Sequence, residues 1–435
     1  MEKRDFNLKS FLTIPLIHFF FFILLYLFFS FFGLVKEFPN AENIIRWDAS
    51  WYSSIAKNGY QYFWYEASNS AFFPLFPYLW KIIHVDSLGI SIVNYLMCMS
   101  GLYLLYKYFE IEKKILLIYI SLPSCIFFFL PFSESLFFLC TSVFLIGLKN
   151  NNQKWILIGL FLSSLTRATA LFFIPSIIIM ELFFADQFFS KSAWKNILYY
   201  SIISIVALLL VVLFQYSLTG EWFAFAKQQV RYWHHHFSIP GLPFVTFGGD
   251  SIIWLDGIAL SFGLLATFLL LVFGIRFLFK KEVFQSQNKS LWFCITYAFM
   301  VTLYCIFFDH KSYEGSTELV SLNRYLFATS FFLIFLNEMI KNVSFNYKYL
   351  SFYLFVILLS AVFLGLGRPL SFLNSMYQNY HKSTIFFTII ISYLLLYFFI
   401  KNEIFGKEIS TILFYTNMIL SVFVFHLYLQ NHWIA

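Results

Sequence analysis

Long apolar runs alternate with short polar joints over the whole chain. A helix that crosses a bilayer needs about 20 consecutive apolar residues. Segments 11–34, 87–106, 115–130, 134–148, 155–166, 168–184, 197–217, 251–279, 290–308, 325–340, 348–366, 383–400 and 409–430 approach or meet that length. Several are short or carry a Pro, Gly or Arg break, so the pattern predicts about 11–13 transmembrane helices. The expected fold is an all-α polytopic membrane protein with one transmembrane domain over 1–435. The first run, Met1 to Leu34, is expected to stay on the chain. It is too long for a signal peptide, and no small-residue cleavage site follows it.

Polar stretches interrupt this pattern at 35–86, 218–250, 309–324 and 367–382, the long loops of the chain. Within the first, Ile44, Trp47, Trp51 and Ile55 recur at spacings of three and four, one face of a helix. Asn40 after Pro39 suits its N-cap and Asn58-Gly59 its end. The spacing therefore predicts a short amphipathic helix lying in the interface, with its tryptophans at headgroup depth.

Composition agrees with the pattern. Hydrophobic residues make up 60% of the chain and charged residues 12%, against about 25% charged in soluble domains. A bilayer can absorb that much apolar surface and a soluble core cannot. The net charge of +7 does not point to nucleic acid, because no basic run forms a patch. If Lys3, Arg4 and Lys9 keep the N-terminus cytoplasmic, the short loops on that side, with Arg276, hold 18 of the 29 Lys and Arg residues. That is the positive-inside bias. The four long loops then share the extracytoplasmic side, together with seven of the nine histidines. Chemistry is expected there, at the membrane surface. The chain has no G-x-x-x-x-G-K-[ST] or G-x-G-x-x-G motif, which argues against a nucleotide-activated substrate. The five cysteines fall in apolar segments without C-x-x-C spacing, so neither a disulfide frame nor a zinc site is expected. No metal or other cofactor is expected.

The candidate chemistry lies on the outer side. Asp48 sits between Trp47 and Trp51, beside the aromatic stripe, where a carboxylate could act as a general base. The alternative is a solvated Asp paired with Arg46 or Lys57. Glu66 precedes Phe72-Phe73-Pro74 and Pro77, a bend that permits re-entry into the bilayer. Glu134 stands at a break between apolar runs, and Arg167 splits another apolar run. Each charge must find a partner or a cavity, and a structural Glu134–Arg167 pair is one solution. In 218–250, Lys227, Arg231 and His234 form a cationic stripe among aromatic residues that could grip a phosphate, or could simply touch lipid headgroups. Three consecutive histidines, His234 to His236, cannot share one helix face, so they make a poor metal site. Arg324 in Asn323-Arg324-Tyr325 could be a second phosphate clamp, or could likewise simply touch lipid headgroups.

These pieces together resemble the GPI mannosyltransferase II (PIG-V) family. Arg46 to Tyr60 (RWDASWYSSIAKNGY), then an acidic residue, then AFFPLFP, resembles that family's W-D-A, I-A-x-x-G-Y, acidic residue and A-F-F-P-x-x-P. Pro123 to Phe137 is similar to its P-x-S-x-F and Y-S-E-S-L-F segment, with Phe132 in place of the tyrosine. Arg167 fits an S-x-x-R region. Thr219-Gly220 through Gln229 and Trp233 resembles T-G-D-P…F…Q…W of prokaryotic members, although Glu221-Trp222 replaces Asp-Pro. Asn323-Arg324-Tyr325-Leu326 resembles P-R-Y-L without the proline. The likeness covers roughly residues 44–330, and beyond that only hydropathy agrees.

The resemblance implies a GT-C glycosyltransferase, a membrane enzyme that takes a sugar, mannose by analogy, from a polyprenyl-phosphate donor with inversion. No metal would be required. By this reading Asp48 is the catalytic base and Arg231, Arg324 and Arg167 stabilise the leaving phosphate. Arg46, Gln229 and His234 belong to the substrate site, where Glu66 and Glu134 orient sugar hydroxyls and Trp47 and Trp51 give the ring an apolar face. The partners implied are the lipid donor, a glycolipid, polysaccharide or protein acceptor, the bilayer, and an accessory membrane subunit; nucleic acid is not among them. The site would face away from the cytoplasm, at the cell membrane of a bacterium or the endoplasmic reticulum membrane of a eukaryote. Two other readings stay open: a flippase or secondary transporter for lipid-linked sugars, and a structural subunit whose partner does the chemistry. The first expects mid-bilayer charges and a repeated architecture. The sequence shows neither.

Overall fold

A computed structural model describes residues 8–183, 190–242, 244–248, 252–278, 289–308, 315–342, 347–361, 363–364, 393–397, 399–400 and 405–435. Among these the protein is all-helical; the sole sheet-like contact is an isolated bridge between Val245 and Glu318. Six helices are long and apolar enough to cross a membrane: α1 (Leu8–Phe31), α4 (Ser87–Phe109), α9 (Lys191–Thr219), α11 (Ile253–Leu278), α12 (Lys289–Phe307) and α16 (Gly406–Leu429). The protein is thus a multi-pass helical membrane protein. Peripheral helices are apolar on both faces because one meets protein and the other lipid. In α1, Phe11 and Ile14 are buried while Phe20, Leu24 and Phe28 are exposed, and α9 exposes Leu198, Leu209 and Leu213.

The remaining helices are shorter: α2 (Asp48–Asn58), α3 (Leu75–Ile83), α5 (Lys113–Ile120), α6 (Glu134–Lys149), α7 (Gln153–Thr166), α8 (Phe173–Phe183), α10 (Ala224–Arg231), α13 (Leu322–Phe327), α14 (Ser330–Asn342) and α15 (Tyr347–Ala361). Three expected continuous spans are in fact broken. Segment 115–130 ends its α-helix at Ile120 and continues as a 3₁₀ turn over Pro123–Phe128. Pro123 cannot donate to a helix, and side chains from other helices satisfy the carbonyls that the break frees. Asn417 Nδ2 donates to Ile118 O at 3.1 Å and Ser421 Oγ to Ser121 O at 2.7 Å. Segment 168–184 begins as a 3₁₀ turn at Ala168–Phe172 before α8, and 325–340 is divided between α13 and α14. The expected loop 367–382 and most of the expected span 383–400 lie outside the described residues.

The hairpin of α6 and α7 sits at the centre of the packing. Its helices touch backbone to backbone through two glycines. A Cβ on Gly159 would lie 2.5 Å from Phe144 N, and one on Gly147 would lie 2.5 Å from Ile156 N. Small residues allow such approach in a bilayer, where packing contacts drive helix association. Antiparallel pairing brings the start of α6, Glu134, beside the residue that ends α7, Arg167. The same end of the bundle receives the C-terminal ends of α9 and α16. Gln215 Nε2 donates to Ser70 O at 2.9 Å, and Tyr428 Oη donates to Ile44 O at 2.8 Å. At the opposite end Lys289 Nζ meets Glu181 Oε1 at 2.7 Å and Asn196 Nδ2 reaches Glu181 Oε2 at 3.2 Å.

Two predictions follow from this packing. Gly159→Leu should destabilise the detergent-purified protein through overpacking by about 1–3 kcal/mol, read as a lower thermal midpoint; an unchanged midpoint would contradict the close approach. Cysteines replacing exposed Tyr65 and Asn150 should react with an impermeant maleimide from opposite sides of the membrane, against a silent background because the five native cysteines are buried. Labelling of both from one side would overturn the arrangement.

Candidate active site

Helix α2 begins at Asp48, not near Asn40. The Asn40 side chain instead caps a separate turn, accepting from Glu42 N and Asn43 N at 2.9 Å each. Trp47 precedes the helix in a left-handed conformation, φ 52°, which costs a non-glycine residue energy and must be held by its surroundings. Here the stretch before the helix is tied to α16: Arg46 N donates to Tyr428 Oη at 3.2 Å. The C-terminal stop is as the sequence predicts, with Gly59 at φ 78° donating to Ile55 O. The buried face of α2 is Ala49, Tyr52, Ser53 and Ile55. Trp47 and Trp51 line a cavity, and the helix that carries the expected stripe starts later than its spacing predicts.

At the mouth of α2 four charged side chains meet. Arg324 of α13 donates from Nη1 to Asp48 Oδ2 at 2.6 Å and from Nε to Glu134 Oε1. Arg167 pairs with the same Glu134 oxygen. Glu134 therefore bridges two guanidiniums, and the formal charges of the four groups cancel. Glu134 and Arg324 are almost fully buried and Arg167 nearly so, whereas the Asp48 side chain is 19% exposed. The guanidinium of Arg324 lies over the rings of Phe127 and Phe132, at 5.0 and 4.6 Å, and that of Arg167 over Phe137 and Tyr325, at 5.8 and 5.4 Å. Such stacking favours arginine over lysine here. Outside the six spans, burial pulls the Arg324 pKa down, but Glu134 and Asp48 outweigh it and hold it above its ordinary value.

Neighbouring elements fix the cluster in place. Tyr52 Oη and Ser133 Oγ share a hydrogen bond of 2.8 Å, which ties α2 to the residue before Glu134. Asn94 Nδ2 holds Phe132 O at 2.9 Å. On the other flank Asn323 Nδ2 donates to Asp256 Oδ1 at 2.8 Å and Ser124 Oγ donates to Asn323 Oδ1 at 2.9 Å.

A cavity of about 330 Å³ opens onto this cluster. Asp48, Arg167 and Arg324 line it, within a wall that includes Trp47, Trp51, Trp233 and Trp433. Trp47 meets Trp433 edge to face at 5.1 Å, and Trp51 meets Trp233 at 6.1 Å. Asp48 Oδ1 has no hydrogen-bond partner among the described residues, so the pair with Arg324 occupies one oxygen and leaves the other available.

Other sequence-derived candidates are distributed differently. Gln229 and His234 line the cavity. Arg46 is half-buried, and its Nε has no hydrogen-bond partner among the described residues. Arg231 does not line the cavity; it donates to Trp64 O at 2.8 Å and stacks on that ring at 4.8 Å. Lys227 pairs with Glu221. His234 follows the end of α10 with φ 54°, so the expected cationic stripe is not a single helix face. Glu66 is exposed and outside the cavity wall.

Several site residues escaped the sequence reading. Trp433 and Phe247 reach the cavity from distant loops. A tryptophan in the polar tail after the last span, on the same side as the first loop, was the available signal. Gln215 and Gln228 act behind the wall: Gln228 Nε2 donates to Phe63 O at 2.8 Å and its Oε1 accepts from Ser68 N at 3.2 Å, pinning the 60–74 loop. Among the described residues no three His, Cys, Asp or Glu side chains gather as a metal site.

Comparison of the chain with family models, curated proteins and solved structures finds no match in any of the three.

Removing Glu134 leaves two buried cations facing each other. Glu134→Ala should cost about 3–5 kcal/mol, read as loss of the monodisperse peak in size-exclusion chromatography or a collapsed thermal midpoint. Asp48→Asn, at the solvent-facing edge, should leave both readouts near wild type. Equal damage by the two would show that burial does not rank the cluster as described.

Proposed function

We propose that this protein is a membrane glycosyltransferase that moves a sugar from a polyprenyl-phosphate donor to an acceptor hydroxyl, with inversion, using Asp48 as general base. The observation that carries the reading is the cavity-facing carboxylate of Asp48, one oxygen held by Arg324 and the other open, in an aromatic-walled cavity at the end of a membrane bundle. The motif resemblance to the GPI mannosyltransferase II family supports it and suggests mannose as the sugar.

In the proposed step, Asp48 Oδ1 accepts the proton of the acceptor hydroxyl as that oxygen attacks the anomeric carbon. The anomeric carbon–oxygen bond to phosphate breaks, and its electron pair leaves with the lipid phosphate. Arg324 orients the base, a role that the ion pair fits better than a free phosphate clamp. Arg167 lines the same cavity and offers positive charge to the departing phosphate, where preorganised donors lower the barrier most. The tryptophan wall supplies flat apolar surface for a sugar ring. Arg231, turned onto Trp64, is left out of this chemistry. The acceptor is a glycolipid, polysaccharide or protein, the side of action is extracytoplasmic by the charge bias, and an accessory subunit is carried over from the resemblance alone.

The test is transfer from radiolabelled polyprenyl-phosphate mannose in membranes. Asp48→Asn should lower the rate about 10²–10⁴-fold, the usual contribution of a general base, at unchanged protein level. Equal transfer by wild type and variant would remove Asp48 from its role. Labelled donor crossing the bilayer with no product formed would favour a transporter.

A further inference from the structure

On the far side of α2 from the aromatic cavity lies a second hollow, of about 380 Å³, between the ends of α2 and α3. Its lining includes Ser53, Lys57, Trp80, Lys81 and His84, with one carboxylate, Asp86. Lys57 occupies the last turn of α2 and Lys81 the last turn of α3. Two lysines, each in the last turn of its helix, thus converge on one groove. Asp86 is engaged as the N-cap of α4, accepting from Gly89 N at 2.7 Å. Neither lysine has a carboxylate partner among the described residues, and Lys81 rests over the Tyr78 ring at 5.9 Å.

The depth of the groove is set by its neighbours. The span α4 starts at Ser87, which itself borders the hollow, and its next turns expose Ile92 and Leu96 to the lipid side. Beside Lys81, Ile82 is 73% exposed. An aliphatic residue that open, next to a lysine at the level where a span begins, is the arrangement of a headgroup-level surface: the apolar side chain enters the acyl boundary and the ammonium reaches the phosphates. Lys57 and Lys81 then face the anionic layer from two helices across a pocket sized for a headgroup.

We propose that this groove binds the phosphate of an anionic phospholipid, with Lys57 and Lys81 as its cationic jaws and Ile82 seated in the acyl region. Ser53 and the Trp80 ring form its floor. The site is separate from the Asp48 cavity and does not rest on the proposed reaction.

The experiment uses the full chain in phosphatidylcholine nanodiscs containing a trace of spin-labelled phosphatidylglycerol, with the immobilised lipid fraction read by electron paramagnetic resonance. Each lysine lost removes a charge-assisted contact to the phosphate worth roughly tenfold in affinity, so K57Q/K81Q should weaken phosphatidylglycerol association by at least about tenfold. Both lysines are exposed, so the variant should keep the wild-type chromatographic profile. A charge-matched control, K36Q/K154Q, at exposed lysines outside the groove, should retain binding. Equal loss in the control would reduce the effect to net charge and overturn the site. So would wild-type binding by K57Q/K81Q, or full displacement of the labelled lipid by soluble glycerol phosphate, which would assign the groove to a free phosphate.

Discussion

A carboxylate with no access to water, Glu134, is shared by two arginines at one end of a membrane bundle, and the rest of the site depends on it. In so apolar a surrounding an isolated charge is strongly unfavourable. The pairing with Arg167 and Arg324 removes that penalty only if α6, α7 and α13 meet within hydrogen-bond reach. The electrostatic requirement therefore acts as a positional one. It brings Arg324 to where it can hold Asp48, and through Asp48 it sets the first turn of α2.

Other parts of the fold serve that meeting point. The glycine contacts of α6 and α7 draw Glu134 and Arg167 together at the open end of the hairpin. The break in segment 115–130 and the turn that follows it bring Phe127 and Phe132 against the faces of Arg324. Polar side chains on α4 and α16 bind the carbonyls and hydroxyls that this irregular stretch would otherwise leave unsatisfied inside an apolar bundle. A continuous helix there would have been simpler to bury, but it could not have delivered two phenylalanine rings to the same guanidinium.

The division between a buried anion and a cavity-facing one also fits the proposed chemistry. Glu134 is neutralised twice and turned away from the cavity, which suits a structural bridge. Asp48 is neutralised once and borders open space, which suits a group that exchanges protons with something bound. The two acids look alike in the sequence, each a lone carboxylate among apolar residues at the membrane edge. They separate only through the number of arginines each meets.

The sequence by itself determined the membrane class, the approximate places of the long helices and the helix stop at Gly59, and it singled out the lone charges around Asp48. These rest on local physics: apolar runs too long for a soluble core, glycine at a left-handed turn, and lone charges in apolar context. It also offered the Glu134–Arg167 pair as one way for those charges to be satisfied. Only the tertiary structure decided that Arg324 joins that pair and holds Asp48, that Arg231 turns onto Trp64, and that Trp433 returns from the far end of the chain to meet Trp47. It also decided where α2 starts, since contacts to α16, more than 380 residues away in sequence, hold the chain out of helix until Asp48. Local pattern has no access to such choices: a guanidinium or an indole finds its partner by the closing of distant helices, and nothing in the spacing of neighbouring residues encodes which one arrives.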